Sequence, residues 1–124
     1  MAALALGMAS APPLAYALPT GGQVSAGQAS ISTGAGSVNV TQTSSRAVID
    51  WSGFNIGSGE QVDFSQPSSS AIALNRIHDS QPSSIDGQLN ANGQVWLLNP
   101  TGIMFGSGAQ VNVGGLVATT SNIS

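Results

Sequence analysis

Eight side chains carry, or can carry, a charge: Asp50, Glu60, Asp63, Asp79, Asp86, Arg46, Arg76 and His78. The chemistry open to such a set is narrow. Two carboxylates facing each other across a groove can cleave a glycosidic bond, one as acid and the other as base or nucleophile. Asp50 and Asp63 fall in strand-like stretches, whereas Asp79 and Asp86 flank a turn. Structural roles in turns and on the surface are the plainer reading of all of them. His78 follows Arg76-Ile77 and precedes Asp79, which reads as an exposed loop residue rather than a base or a metal ligand. With one His and no Cys, a zinc site lacks its usual ligands. The calcium-binding Gly-Gly-x-Gly-x-Asp repeat is missing, as is a Gly-x-Ser-x-Gly nucleophile elbow. The chain therefore reads as non-enzymatic, with no catalytic residue, cofactor or metal. Arg46 and Arg76 are expected to pair with acids or carbonyls at corners of the fold.

A second group of residues does geometry rather than bond-making. Asn99-Pro100-Thr101-Gly102 is a turn with a mechanism: proline fixes φ at the second position, glycine gives the corner conformational freedom, and the Asn side chain can bond nearby backbone. It sits inside the densest apolar run, Gly93 to Val113. The element that must carry such a corner is a short strand on either side, and strands of this kind recur. Asn55-Ile56-Gly57-Ser58-Gly59-Glu60-Gln61-Val62-Asp63-Phe64 resembles the ten residues from Met104 to Val113, 49 positions on. Ala47 to Trp51, Ala71 to Asn75 and Val95 to Asn99 align at successive offsets of 24. Two turns of about 24 make one interval of about 49, so the repeat reads as the coil of a β-solenoid, whose turns bury their inner faces only by stacking. Val48, Ile72 and Val95 or Trp96 are placed inside, with Ile56, Val62, Phe64, Leu74, Leu98, Ile103, Phe105, Val111, Val113 and Leu116.

Composition agrees. Of 124 residues, 6% are charged and 41% hydrophobic, the net charge is −3, and there are 16 glycines. Ordinary domains carry roughly 25% charged residues, but disorder pairs low hydrophobicity with high net charge, and this chain has neither. An ordered, turn-rich, all-β domain with a Ser, Thr, Asn, Gln and Gly surface follows. Two arginines are too few to displace counterions from nucleic acid, and no cysteine is available for a disulfide.

Residues 1–17 read as a secretory leader. The apolar part is too short to span a bilayer, Pro12-Pro13 breaks it, and Ala15-Tyr16-Ala17 fits a small-x-small cleavage site. No basic residue precedes the run, so the leader reads as incomplete at its start. Cleavage after Ala17 gives a mature chain from Leu18, with no membrane span. Residues 18–45, including Ala29-Ser30-Ile31-Ser32, the turn Gly34-Ala35-Gly36 and Ser37 to Thr41, read as an amino-terminal cap over an otherwise open sheet edge. Residues 46–124 read as the coils. Leu116 to Thr120 still reads as strand with no polar cap after it, so the chain is expected to be a fragment of a longer solenoid or the product of a truncated gene.

Residues 46–120 resemble the amino-terminal secretion domain of the filamentous haemagglutinin family, the exported partner in two-partner secretion. The resemblance lies in Ile49-Asp50-Trp51, Phe54-Asn55-Ile56, Val62-Asp63-Phe64, Leu74-Asn75-Arg76-Ile77, Ala91-Asn92-Gly93-Gln94-Val95, Leu98 to Ile103 and Gly114 to Thr120. Members commonly carry Asn-Pro-Asn-Gly at the corner, where Thr101 stands here, and many have glycine at the place of Asp79. The resemblance implies a right-handed parallel β-helix at the start of a long exoprotein. It implies recognition by the POTRA modules of a cognate outer-membrane β-barrel transporter, passage through the periplasm, and display at the cell surface or secretion. Any host-surface ligand would be bound by downstream regions. Asn99, Pro100, Thr101 and Gly102 are the expected recognised corner, with Asn75 and Arg76 secondary. The readings from other classes are a carbohydrate-processing β-helix, which needs converging acids, and a directly adhesive module, which needs an exposed apolar patch around Trp51 or Trp96.

Overall fold

The computed structural model describes residues 17–121. The expected leader, except for Ala17, lies outside the described residues. Alternation of apolar and polar side chains shapes the rest into strands: β1 (Gln23–Ala26), β2 (Ala29–Gly34), β3 (Ser37–Gln42), β4 (Arg46–Trp51), β5 (Gln61–Ser65), β6 (Ile72–Ile77), β7 (Ser83–Ile85), β8 (Gln88–Ala91), β9 (Gln94–Leu98), β10 (Ile103–Phe105), β11 (Gln110–Asn112) and β12 (Gly115–Thr119). No helix occurs among the described residues.

The strands wind as a parallel β-solenoid of four turns. One wall is β3-β5-β8-β11 and a second is β4-β6-β9-β12, each joined in parallel. A short third wall pairs β7 with β10 and is extended by a bridge from Ile56 to Ile85. The first turn is closed by antiparallel strands: β1 lies on β4, and β2 folds back on β3 through the Gly34–Ser37 hairpin, with Gly36 at φ 74. Within 18–45, then, β1 and β2 form the antiparallel lid, while β3 already belongs to the parallel wall.

Stacking aligns the inner side chains into ladders. Val38, Val62, Leu89 and Val111 form one, and Ile56, Ile85 and Phe105 another. Ala47, Ala73, Val95 and Leu116 form a third. Trp51 closes edge-to-face on Phe54, ring centres 5.5 Å apart. Burying each large member of these ladders contributes about 1.5–3 kcal/mol.

The interval of 49 residues is two turns, Gln61 to Gln88 to Gln110. The even spacing of 24 is not observed: Ala47 stands beside Ala73, and Ala73 beside Val95, so one turn is longer and the next shorter. Four core assignments are corrected. Val48, Ile72, Leu74 and Trp96 face outward, because Ala47, Ile49 and Trp51 take the inner positions of β4 and stacking carries that phase upward. Phe105 and Leu116 occupy inner ladders but are 41% and 38% exposed, since no turn covers β10 and β12 among the described residues.

Corners between walls are held by side-chain amides. Gln66 donates to Gln42 Oε1 at 3.1 Å and accepts from the Gly93 amide at 2.8 Å. Asn92 exchanges two hydrogen bonds with the Gln66 backbone, both 2.7 Å. Buried backbone groups that have no strand partner need such bonds.

Candidate functional site

The Asn99–Gly102 corner follows β9, where the chain leaves one wall for the next. The Gly102 amide donates to the Asn99 carbonyl at 3.0 Å, closing a four-residue turn. Among the described residues none other than glycine has positive φ, so Thr101 at the third position excludes a type II turn. Gly102, at φ 119, takes the conformation that a side chain resists. The Thr101 amide donates to Asn99 Oδ1 at 3.0 Å, an Asx turn.

The corner is tied to the turn beneath it. Asn99 is fully buried, and its Nδ2 donates to Ser83 Oγ at 2.9 Å and toward the Gln81 carbonyl at 3.4 Å. The Thr101 hydroxyl lies 2.9 Å from the Gln81 carbonyl, 3.2 Å from the Asp79 carbonyl and 2.6 Å from Asn99 Oδ1, three acceptors for one hydrogen. The Ser83 amide donates to the Gly102 carbonyl at 2.9 Å.

Asn75, expected as a secondary recognition residue, is a core residue. It is fully buried; its Oδ1 accepts from Trp51 Nε1 at 2.9 Å and its Nδ2 donates to the Trp96 carbonyl at 3.2 Å. Neither it nor Asn99 can touch a partner of the folded domain through its side chain. Both act from within, one by supporting the indole and the other by fixing the turn. Pro100 and Thr101 are exposed.

Arg76 is on the surface. Its Nε donates to Asp50 Oδ1 at 2.9 Å and its Nη2 to Asp50 Oδ2 at 3.0 Å, a two-point grip. Nη2 also reaches Ser25 Oγ on β1 at 3.1 Å, so the arginine fastens the lid to the first full turn. His78 Nε2 lies 2.8 Å from Asp50 Oδ1. The Arg76 guanidinium holds the Asp50 carboxyl well below the usual carboxylate range; burial opposes this, and His78 and Ser25 add to it. Arg76, Ile77, His78, Leu98 and Pro100 line one open depression of about 380 Å³. The structure thus brings Arg76 and Pro100 together and adds His78, whose role sequence reasoning left at simple exposure.

Asp63 and Asp79 serve local structure. Asp63 accepts from Gln61 Nε2 and Asn90 Nδ2, each at 2.8 Å, and Asp79 accepts from the Gln81 amide at 3.0 Å. Among the described residues no three His, Cys, Asp or Glu side chains gather as a metal site. On the outer face of the second wall Val48, Ile72, Leu74 and Trp96, expected inside, line an apolar groove of about 270 Å³ together with Arg46 and Ala47. Trp51, the other candidate for an adhesive patch, is buried.

The family model described as TPS secretion domain matches residues 15–124. A heme/hemopexin-binding protein of Haemophilus influenzae strain Rd is 41% identical over 106 residues, covering 86% of this chain and 12% of that protein. A second heme/hemopexin-binding protein of Haemophilus influenzae is 44% identical over 91 residues, 73% of this chain and 10% of that one. The chain therefore spans only about a tenth of the length of these relatives. The crystal structure of the HMW1 secretion domain from Haemophilus influenzae superposes with a TM-score of 0.81 at 35% identity, over 86% of this chain and 28% of that one.

Proposed function

The chain belongs to the family of TPS secretion domains, and from that premise we propose that it directs export of a large exoprotein through the POTRA modules of a cognate outer-membrane β-barrel transporter. The observation that carries this reading is the match across 15–124 together with the shared solenoid. Family members are exported or surface-associated; the route through the periplasm, after a leader spanning residues 1–17, belongs to the proposal. In this reading β1 and β2 serve as the cap and the chain from β3 onward as the coils. The corner 99–102 is the recognised shape, with Pro100, Thr101 and Arg76 presented to the transporter and Asn99, Gly102 and Asn75 holding them in place. Any ligand-binding activity of the exoprotein is assigned to regions outside this chain.

The physical logic is templated folding. A chain with few charges and little local structure stays extended until its inner faces find a preceding turn to stack on. Folding outside the membrane, turn upon turn, would then draw the remainder outward.

The test is secretion of the chain in a strain that carries its transporter. Pro100→Ser and Arg76→Gln are expected to cut secreted yield severalfold while circular dichroism of the purified domain stays native. Undiminished secretion by both variants overturns the proposed surface. The templated-folding part is tested separately by truncating inner residues such as Leu97 and Ile85; a constant secretion rate across a wide range of stabilities refutes it.

The outward groove at Val48, Ile72, Leu74 and Trp96 supports a second reading, direct adhesion. Trp96→Ser on a folded domain separates the two, because adhesion falls while secretion persists.

A further inference from the structure

Glu60 is the one buried acid whose bonding is incomplete. Its residue is 5% exposed. Oε1 accepts from the Gly57 amide at 2.8 Å and from the Ala17 amide at 3.2 Å. Oε2 is buried with no hydrogen-bond partner, and no arginine or histidine is paired with it among the described residues. A buried carboxylate oxygen left unsatisfied is costly, more so than a neutral acceptor.

The segment that reaches Glu60 is the junction at which the leader is expected to be cut. Ala17 donates to it; Leu18 is half-buried against the core and Pro19 is buried. Thr20 is fixed to the first turn by antiparallel bonds, its amide donating to the Gly53 carbonyl and its carbonyl accepting from Ser52, both at 2.9 Å. Hydrolysis of the Ala17–Leu18 bond by a leader peptidase adds the hydroxyl of water to the Ala17 carbonyl and leaves the nitrogen of Leu18 as an amine. Free α-amines titrate near 7.7–8.0, so the new terminus is largely protonated at neutral pH. The cut removes one neutral donor and creates an ammonium with three, one residue closer to the fixed Thr20. Consecutive Cα atoms are about 3.8 Å apart, and movement of the freed Leu18 end has to close that distance to Glu60.

We propose that Glu60 is the receptor for the amino terminus released at Leu18, forming a buried ion pair that exists only in the processed chain. Removal of the leader then completes the lid, and the unprocessed form folds with an unsatisfied acid beside the segment that leads into it. The inference rests on the export reading only for the existence of a leader cut at Ala17.

The experiment uses the chain exported with its leader and recovered after processing. Both basic side chains are arginine, so the α-amine is its sole amine and can be acylated selectively. Intact mass locates the terminus, and acylation kinetics at pH 7 report the amine. Expected are a chain starting at Leu18, acylation at least about tenfold slower than for a free Leu-Pro-Thr peptide, equivalent to one unit of pKa, and recovery of most of that factor in Glu60→Gln. A terminus at another residue overturns the proposal through its processing premise, without touching transporter recognition. A Leu18 terminus with equal rates in both proteins overturns the ion pair itself. If Glu60→Gln does not fold, the native chain acetylated in denaturant and refolded decides. A lower unfolding midpoint by tryptophan fluorescence supports the pair, and an unchanged midpoint overturns it.

Discussion

Two buried asparagines set the character of this domain at the scale of single residues. An apolar residue would fill the place of Asn75 between Ile49 and Leu97, yet the amide satisfies the Trp51 indole and a carbonyl of the next turn. Asn99 does the same for its corner. Asn99→Ala leaves the Thr101 amide and the Ser83 hydroxyl without their partner, and is expected to cost about 1–3 kcal/mol in denaturant unfolding. The Asp50–Arg76 pair gives a pH signature. Its carboxyl titrates lower in the folded chain than the ordinary 3.8, so the pair stabilises above that value and the contribution is lost as pH falls below it. Acid unfolding of the native chain is expected to steepen below about pH 4, and Arg76→Gln to flatten that limb. Both partners are partly exposed, so solvent screening moderates the effect.

At the scale of elements, close stacking of turns makes some glycines irreplaceable for reasons of space. A Cβ on Gly87 would stand 2.4 Å from the carbonyl oxygens of both Gly57 and Glu60, which are backbone and cannot swing aside. A Cβ on Gly36 meets nothing within 4 Å and faces only its positive φ. Gly87→Ala is therefore expected to lower the thermal midpoint much more than Gly36→Ala, whose cost is about 1–2 kcal/mol. Leu97→Ala empties a buried position of β9 and is expected to cost about 2–5 kcal/mol by the same measurement. The strands themselves were legible in the sequence, and so was the interval of 49. The equal spacing of 24 was not, because corners differ in length: along the ladder Val38, Val62, Leu89 and Val111 successive turns take 24, 27 and 22 residues. Nor was the facing of β4: Ala47, Val48 and Ile49 are all apolar, which hides the alternation. Asp50 holds the missing cue, since a charge on the outer face puts Ala47, Ile49 and Trp51 inside. The corner 99–102 was readable from its turn chemistry, but its burial pattern was not. Whether Asn75 and Asn99 point in or out depends on turns about twenty residues away, and local sequence carries no such contact.

On the scale of the whole molecule, the two ends of the stack differ in kind. At one end β1 and β2 run against the grain of the solenoid and cover the first strands of both large walls. At the other end β10, β11 and β12 have edges unpaired among the described residues, with Met104, Phe105, Leu116 and Val117 exposed. Such edges invite pairing with another chain. Sedimentation of the isolated chain is expected to show concentration-dependent association, and Val117→Lys to weaken it. The antiparallel lid has a consequence for growth. Like a crystal seed poisoned on one facet, the stack can add layers in a single direction, so a polypeptide arriving amino terminus first meets its growing surface in the order of its synthesis.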